Sequence, residues 1–435
     1  MAENAVVGFG RKFAFMLRTF PSAVGRRSVS PGGRQRCRQS PIETVWCQQI
    51  HLCTTWNLVS VSVIRGSLGI MGSVEEVHDS APLWNGVPQL TLRGSAWEIG
   101  LAHGRQIPNR IKTSIENYQR LFLDLAEVAW PESVRRAEEF LPALEQHEPE
   151  LVEEMKGIAA GAGVSLGDIL ALNLRSEISL TNYSDGCTSI VTTNSSGKNT
   201  FVAQNWDWVE EAGMATAFFD IQKPGTPRIR MFGEAGILAK FGFNDVGVGI
   251  CMNAIRCGTV DRNALPVHLA MRRVLECTSF DEGFALLKQR GLASCVNFAI
   301  ADRGGKFATI ECTPKGLCPI YPEPGSLRTF HTNHLWSPDV PHGIRDHPSR
   351  NSFTRLERIK ELSENQEPSV QKIREWLSDE QGAPTSICRS TPPGAKGIER
   401  MITLSTIIID LQAGQAEVSL GKPSLLPPVL TLSMD

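Results

Sequence analysis

No stretch of about 18 uninterrupted apolar residues occurs in the chain, so no membrane-crossing helix is expected. An excess of charge of one sign is also missing. The 44 Lys and Arg against 46 Asp and Glu leave a formal net charge of −2, which gives no support for a global nucleic-acid or anionic-membrane role. The 11 cysteines include no CxxC pair. Cys251/Cys257 and Cys312/Cys318 are each six apart, too wide for a zinc knuckle. Most cysteines therefore read as buried small apolar residues of a reducing compartment, with one or two reactive at most. His331-Thr332-Asn333-His334 has no acidic or cysteine partner nearby, so no metal is expected there. Gly247-Val248-Gly249 is a lone GxG without the following helix that a dinucleotide site needs, and no cofactor-binding residue is assigned. Internal repeats are absent. What remains, at 435 residues with 41% hydrophobic and 21% charged residues, fits a globular enzyme of one large or two ordinary domains.

The first 70 residues differ from the rest. Eight Lys and Arg fall within residues 1–40 against one acid, Glu3. Two readings stand: an Arg-rich transit segment, or upstream sequence joined to a start at Met71, the second being preferred. Residues 1–82 are accordingly set aside as a leader outside the fold. Val87 to Leu92 reads as a first strand. Ser95-Ala96-Trp97-Glu98 has capping-box spacing and opens a helix. A longer helix from Pro108 carries Ile111, Ile115, Tyr118, Leu121, Leu125 and Val128 on one face and is expected to end at Pro131. Further helices are expected over 133–146, 148–162 and from Ser165 to about Arg175. The pattern turns β-rich at Cys187. Thr188–Thr193 and Thr200–Trp206 flank a turn at 194–199, giving a hairpin. Strands follow at 215–222, 227–232, 237–243 and 246–252, then helices near 265–277 and from Ser279. A hairpin comes next around 302–305, then a helical, charged stretch over 350–379. A last hairpin pairs Thr403–Leu411 with Ala416–Leu420. Runs of strands, paired helices and strands again predict a layered α+β domain with antiparallel sheets.

Chemistry concentrates at Asp185-Gly186-Cys187-Thr188-Ser189, followed by Asn205-Trp206-Asp207. A glycine before a cysteine leaves the joining peptide bond open to attack by the thiol, and glycine tolerates a strained backbone. Scission there would make Cys187 a new N-terminus, holding a nucleophile and an α-amine that titrates near ~8 on one residue. Asp207 returns beside Cys187 across the hairpin, where a carboxylate would hold the new ammonium or orient a basic partner. Asn253 ends a strand, and Asn333 lies between two histidines. Asparagine donors suit the negative charge that develops on a substrate oxygen. Arg400 precedes an apolar strand, and a buried arginine there would need a carboxylate such as Asp207. Each of these also has an ordinary structural reading: buried core cysteine, turn-capping aspartate or asparagine, strand-flanking charge.

As an ordered set these residues resemble the fungal acyl-coenzyme A:isopenicillin N (6-aminopenicillanic acid) acyltransferase family of cysteine-type N-terminal-nucleophile hydrolases. The resemblance runs from about Leu90 to Pro423. It includes Trp97-Glu98-Ile99-Gly100 with His103-Gly104, Leu172 to Glu177, and the Asp185–Ser189 and Gln204–Asp207 blocks. Glu234-Ala235-Gly236-Ile237, Gly242-Phe243-Asn244, Asn253-Ala254, His331 to His334, Ser386-Ile387-Cys388-Arg389 and Arg400 complete it. It implies a four-layer αββα sandwich with a helical pro-region, residues 83–186 forming a small subunit and 187–435 a large one. It implies cleavage between Gly186 and Cys187 to a heterodimer, with Cys187 as nucleophile. Asp207, Asn333 and Arg400 would support processing or catalysis, and Ser189 would supply a helpful hydroxyl. The substrates implied are a small-molecule acyl donor, acyl-coenzyme A, and an amine acceptor, with no tightly bound cofactor. The chain departs from the family pattern at Glu399, where a serine is expected, and in a Cys187–Asp207 loop two residues longer. Its C-terminus, Leu432-Ser433-Met434-Asp435, is unlike a peroxisomal Ser-Lys-Leu.

The sequence reading is thus a self-processed cysteine acyltransferase. The alternatives are an N-acyl amide amidohydrolase of the same class and an unprocessed, non-catalytic relative. The expected location is intracellular, cytoplasmic or peroxisomal, or mitochondrial should the leader be real.

Overall fold

The computed structural model describes residues 79–179 and 186–435. Nearly all of the leader, and Asp185 of the cysteine motif, lie outside the described residues. The first part of the fold comprises strands β1 (Leu83–Trp84) and β2 (Val87–Arg93), then helices α1 (Ala96–Gln106), α2 (Pro108–Ala126), α3 (Trp130–Glu138), α4 (Leu141–His147), α5 (Pro149–Ala162), α6 (Leu166–Asn173) and α7 (Arg175–Ser179). The second part begins with β3 (Gly186–Thr193), β4 (Thr200–Val209), β5 (Thr216–Gln222), β6 (Ile229–Glu234), β7 (Phe241–Asn244) and β8 (Val248–Ala254). Helices α8 (Val267–Leu275) and α9 (Phe280–Arg290) lead to β9 (Val296–Asp302), β10 (Phe307–Thr313), β11 (Gly316–Ile320) and β12 (Arg328–His331). Helices α10 (Arg350–Ser363) and α11 (Val370–Leu377) precede β13 (Met401–Asp410), β14 (Gln415–Leu420) and β15 (Val429–Ser433).

The strands form two sheets, in the orders β1-β2-β5-β6-β7-β8-β9-β10-β11 and β12-β3-β4-β13-β14-β15. β3 and β4 pack on β8 and β9, so the sheets lie face to face. Helix α8 covers β7 and β8, and α10 and α11 cover β3, β4 and β13. This is the expected α+β four-layer arrangement. The fully buried strands β3, β4 and β8 reflect that position, with a sheet on one side and helices on the other. The pro-region is part of this body. Its β2 joins the first sheet beside β5, and that pair is parallel where an antiparallel sheet was expected. Among the described residues no helix is long and apolar enough to cross a membrane, and the eight cysteines there are unbridged and buried.

Local signals fix most helix starts. Ser95 and Ser165 close full capping boxes with Glu98 and Asp168. The helix from Pro108 stops at Ala126, earlier than expected, because Glu127 takes a left-handed φ of 55° as its C-cap. Pro131 therefore starts α3 rather than ending α2, since a proline in the first helical turn gives up no intrahelical bond. The expected helix over 133–146 is split into α3 and α4, with Pro142 in the first turn of α4. The 350–379 stretch is likewise two helices, separated around Pro368. Strands β11 and β15 were not anticipated.

Helices α1 and α5 cross backbone to backbone. A Cβ on Gly100 would lie 2.0 Å from the Glu154 carbonyl oxygen, and one on Gly104 2.4 Å from that of Ile158. On the facing helix, a Cβ on Gly157 or Gly161 would meet the Trp97 or Leu101 oxygen at 2.5 Å. This contact gives the Gly100 and His103-Gly104 segment its physical reason. His103 Nε2 accepts the Gly236 N–H at 3.0 Å, tying α1 to the turn after β6.

Candidate active site

Cys187 is the second residue of β3, and a tight hairpin sets its neighbours. Gly186 pairs with Asp207 and Cys187 with Trp206 on β4, as the 194–199 turn predicts. Strand alternation then divides the side chains between two faces. Cys187 and Ser189 face the other sheet, where Ser189 Oγ donates to Asn253 Oδ1 on β8 at 2.6 Å. Asn253 Oδ1 also accepts from Asn297 Nδ2 at 2.9 Å, and Asn253 Nδ2 reaches the His331 carbonyl at 3.4 Å. Cys251 shares that face of β8. Burial, and then the neighbouring Cys187, push its thiol well above the ordinary value, so it stays protonated.

Thr188, Asn205 and Asp207 face the helical layer. Asp207 is fully buried and accepts from Thr403 Oγ1 at 2.6 Å. Thr403 Oγ1 in turn accepts the Arg389 N–H at 2.8 Å. Gly186 has no room for a side chain: a Cβ would stand 2.9 Å from Asp207 Oδ2 and 3.2 Å from Arg389 Nη1. The glycine is therefore required by space.

Asn333 follows β12 and spans the layers. Its Oδ1 accepts the Cys187 N–H at 3.0 Å, and its Nδ2 donates to the Ala254 carbonyl at 3.0 Å. Ser352 of α10 accepts the Asn333 N–H at 2.8 Å and lies 2.7 Å from His334 Nδ1. Burial, then His331, lower the His334 pKa to about 4. His331 lies between Glu311 Oε1 at 3.0 Å and the Thr332 carbonyl at 2.9 Å. No group of three or more potential metal-ligating side chains occurs among the described residues.

The structure thus brings together Gly186, Cys187, Ser189, Asp207, Asn253 and Asn333. Arg400 is not among them. It caps a short 3-10 turn (Gly397–Glu399), its side chain is 45% exposed, and it pairs with Glu210 rather than with Asp207. Glu399 is exposed on the same turn. The cations near Asp207 are instead the buried Arg355 and the partly buried Arg389. Sequence reasoning gave neither a role. Arg389 stood in a quoted motif without a function, and Arg355 lay within a charged helix. Its signal was the i, i+3 spacing from Ser352, which puts both on the face carrying Leu356 and Ile359. A cleft of about 760 Å³ opens beside this face, lined by Arg350, Phe353, Arg355, Gln381, Thr385 and Ser386 among others.

Residues 193–425 match the family model described as acyl-coenzyme A:6-aminopenicillanic acid acyl-transferase. The chain is 30% identical over 337 residues to the 40 kDa form of acyl-coenzyme A:6-aminopenicillanic-acid-acyltransferase of Emericella nidulans, covering 77% of this chain and 93% of that protein. Among solved structures it is similar, at 12% identity and a TM-score of 0.41, to a C2A mutant of conjugated bile acid hydrolase from Clostridium perfringens. That match covers 57% of this chain and 92% of that one. Penicillin V acylase from Agrobacterium tumefaciens matches at 12% identity and a TM-score of 0.36, covering 57% and 86%.

Proposed function

The chain belongs to the acyl-coenzyme A:6-aminopenicillanic acid acyl-transferase family, and from that membership we propose that it is a cysteine acyltransferase that activates itself by cutting the Gly186–Cys187 bond. The observation that carries the reading is the placement of Cys187. It is the second residue of an internal strand, Asn333 Oδ1 holds its nitrogen at 3.0 Å, and Asp207 is its cross-strand diagonal neighbour.

In the proposed cut, Cys187 Sγ adds to the Gly186 carbonyl carbon and the C–N bond breaks. A thioester forms, and the thiol proton ends on the Cys187 nitrogen. Water hydrolyses the thioester, releasing the Gly186 carboxylate and restoring the thiol. Asp207, opposite Gly186, then faces the new N-terminus and holds its ammonium form. For acyl transfer, the neutral α-amine takes the thiol proton and the thiolate attacks the carbonyl of an acyl-coenzyme A thioester. The coenzyme A thiolate leaves with that proton, and an acyl-enzyme remains. A primary amine such as that of 6-aminopenicillanic acid then attacks the acyl carbon, and Cys187 leaves as a thiol. With an N-acyl amide as donor, its amine leaving with the thiol proton, and water as acceptor, the same site is an amidohydrolase. Ser189 and Asn253 brace the strand pair under the nucleophile, and the small segment ending at Gly186 stays bound as a partner subunit.

The test is to incubate purified protein with acyl-coenzyme A and 6-aminopenicillanic acid and to follow free thiol, acyl amide and free acid. Amide formation that Cys187→Ala abolishes is the expected result. Free acid alone marks hydrolysis of the acyl-enzyme, acid released from an N-acyl amide without coenzyme A marks an amidohydrolase, and no turnover of any acyl donor by fully cut protein contradicts the proposal.

A further inference from the structure

Arg355 takes no part in the chemistry described so far, yet it bonds to Cys187, Thr188, Asn333 and Asn351. It is 2% exposed. Its Nη1 donates to the Cys187 carbonyl and, at 3.1 Å, to Thr188 Oγ1. Its Nη2 donates to Asn333 Oδ1 at 2.7 Å and to Asn351 Oδ1 at 3.2 Å. Asn333 Oδ1 therefore accepts from two directions, the Arg355 guanidinium and the Cys187 N–H at 3.0 Å. Its Nδ2 is committed to the Ala254 carbonyl. An amide fixed at both ends cannot turn over. One helical turn before Arg355, Ser352 holds the Asn333 backbone N–H. A single face of α10 thus grips Asn333 by main chain and side chain at once, and Cys187 by its carbonyl. A planar fork that donates along several directions does this; a lysine ammonium on the same stem does not.

We propose that Arg355 is a positioning residue for the nucleophile, fixing the Asn333 oxygen on the Cys187 nitrogen and setting a positive charge beside the α-amine that scission creates. The proposal rests on the self-cleavage reading above. With one N–H engaged by Asn333, the amine is held in one orientation relative to its own thiol. The nearby guanidinium disfavours the ammonium form, leaving a neutral amine to take the thiol proton. Other groups face the same nitrogen and thiol. Asp207 on β4 opposes Arg355, Arg389 before β13 adds to it, and Cys251 lies across on β8. His334, with His331 and Glu311, lies behind Asn333. All of these stay in place when Arg355 alone is changed.

The test compares the full chain with Arg355→Lys and Arg355→Gln, each checked for a wild-type-like thermal transition. Intact mass reports the cut, and a p-nitrophenyl acetate burst across pH reports acylation of Cys187. Arg355→Gln is expected to slow acylation on the order of 10²-fold and to move its acid limb up by about one pH unit, because the ammonium is no longer disfavoured. Arg355→Lys keeps the charge and loses the fork, so its limb stays near wild type while its rate falls about tenfold. A burst within about threefold of wild type in both variants, with an unmoved limb, overturns the proposal. So does an equal loss at every pH in which lysine is no better than glutamine, since that marks a merely structural residue. Should Arg355→Gln fail to fold, Arg355→Lys decides: an unchanged rate overturns the proposal, and a slower rate with a wild-type limb supports it. A wild-type chain that stays uncut overturns both this and the reading beneath it, whereas a wild type that cuts beside unaffected variants overturns this alone.

Discussion

Changing Glu234 to Gln would leave two cations in the protein interior without their shared carboxylate. Glu234 is 1% exposed, lies 2.7 Å from Lys240 Nζ and 3.6 Å from Arg175 Nη2, and accepts the Tyr118 hydroxyl at 2.6 Å. Lys240 in turn lies 3.5 Å over the Trp206 ring, the cross-strand partner of Cys187. Burial raises the Glu234 pKa, but Lys240 and Arg175 together outweigh it and hold the carboxyl down at about 2 against an ordinary 4.5. Since 1.36 kcal/mol accompanies each pH unit, ionised Glu234 contributes roughly 3 kcal/mol at neutral pH. The sign follows from a depressed acid. The contribution is complete above about pH 4.5 and is lost as pH falls from there toward 2. Glutamine keeps the shape and removes the charge, and breaking a buried pair from one side costs about 3–5 kcal/mol. Tyr118 and Arg175 precede the proposed cut while Glu234 and Lys240 follow it, so the loss also weakens adhesion between the two pieces. Calorimetry at pH 7 should show a melting temperature lower by roughly 4–7 °C, and the gap from wild type should narrow below pH 4. A variant melting within about 2 °C of wild type at pH 7 would refute the reasoning.

Other substitutions probe separate parts of the account. Gly104→Ala puts a methyl 2.4 Å from the Ile158 carbonyl oxygen, so it should lower the urea midpoint by the equivalent of about 2 kcal/mol or more. Gly258→Ala, with nothing within 4 Å, should stay within about 0.5 kcal/mol. His103 is buried, and that burial, with Arg272 adding to it, lowers its pKa to about 3 from 6.5. A depressed histidine must gain a proton on unfolding, so His103 should take about 1.4 kcal/mol of stability per pH unit from near pH 6.5 downward. His103→Gln should flatten that part of a plot of melting temperature against pH. Gly186→Ala should displace the scissile carbonyl by crowding Asp207, and uncut precursor should persist on gels with a cleavage rate lower by on the order of 10²-fold.

The hairpin was legible because a polar turn at 194–199 fixes register over short distances. Placing Asp207 beside Cys187 needed only strand counting from that turn. Asn253 was legible as a strand-end polar residue and Asn333 as an asparagine between two histidines. Their convergence on Cys187 depends on two sheets stacking, which no local pattern encodes. Arg400 failed for a physical reason: a charge before a strand carries no sign of which way the preceding turn faces, and here that turn faces solvent. Arg355 was hidden among Arg358, Lys360 and several glutamates, because helical periodicity in a charged segment marks a buried face only through its few apolar members. The parallel β2–β5 pair escaped for a related reason. It joins segments more than a hundred residues apart, beyond the reach of turn chemistry.

Everything proposed for Cys187 requires that its nitrogen become a chain terminus. Intact mass and N-terminal sequencing of the freshly purified full chain test this most directly. The account predicts a large fragment comprising residues 187–435 that begins with Cys187, still bound to its small partner, and an uncut chain for Cys187→Ala. A wild-type protein that remains whole, or a fragment starting at any other residue, would contradict it.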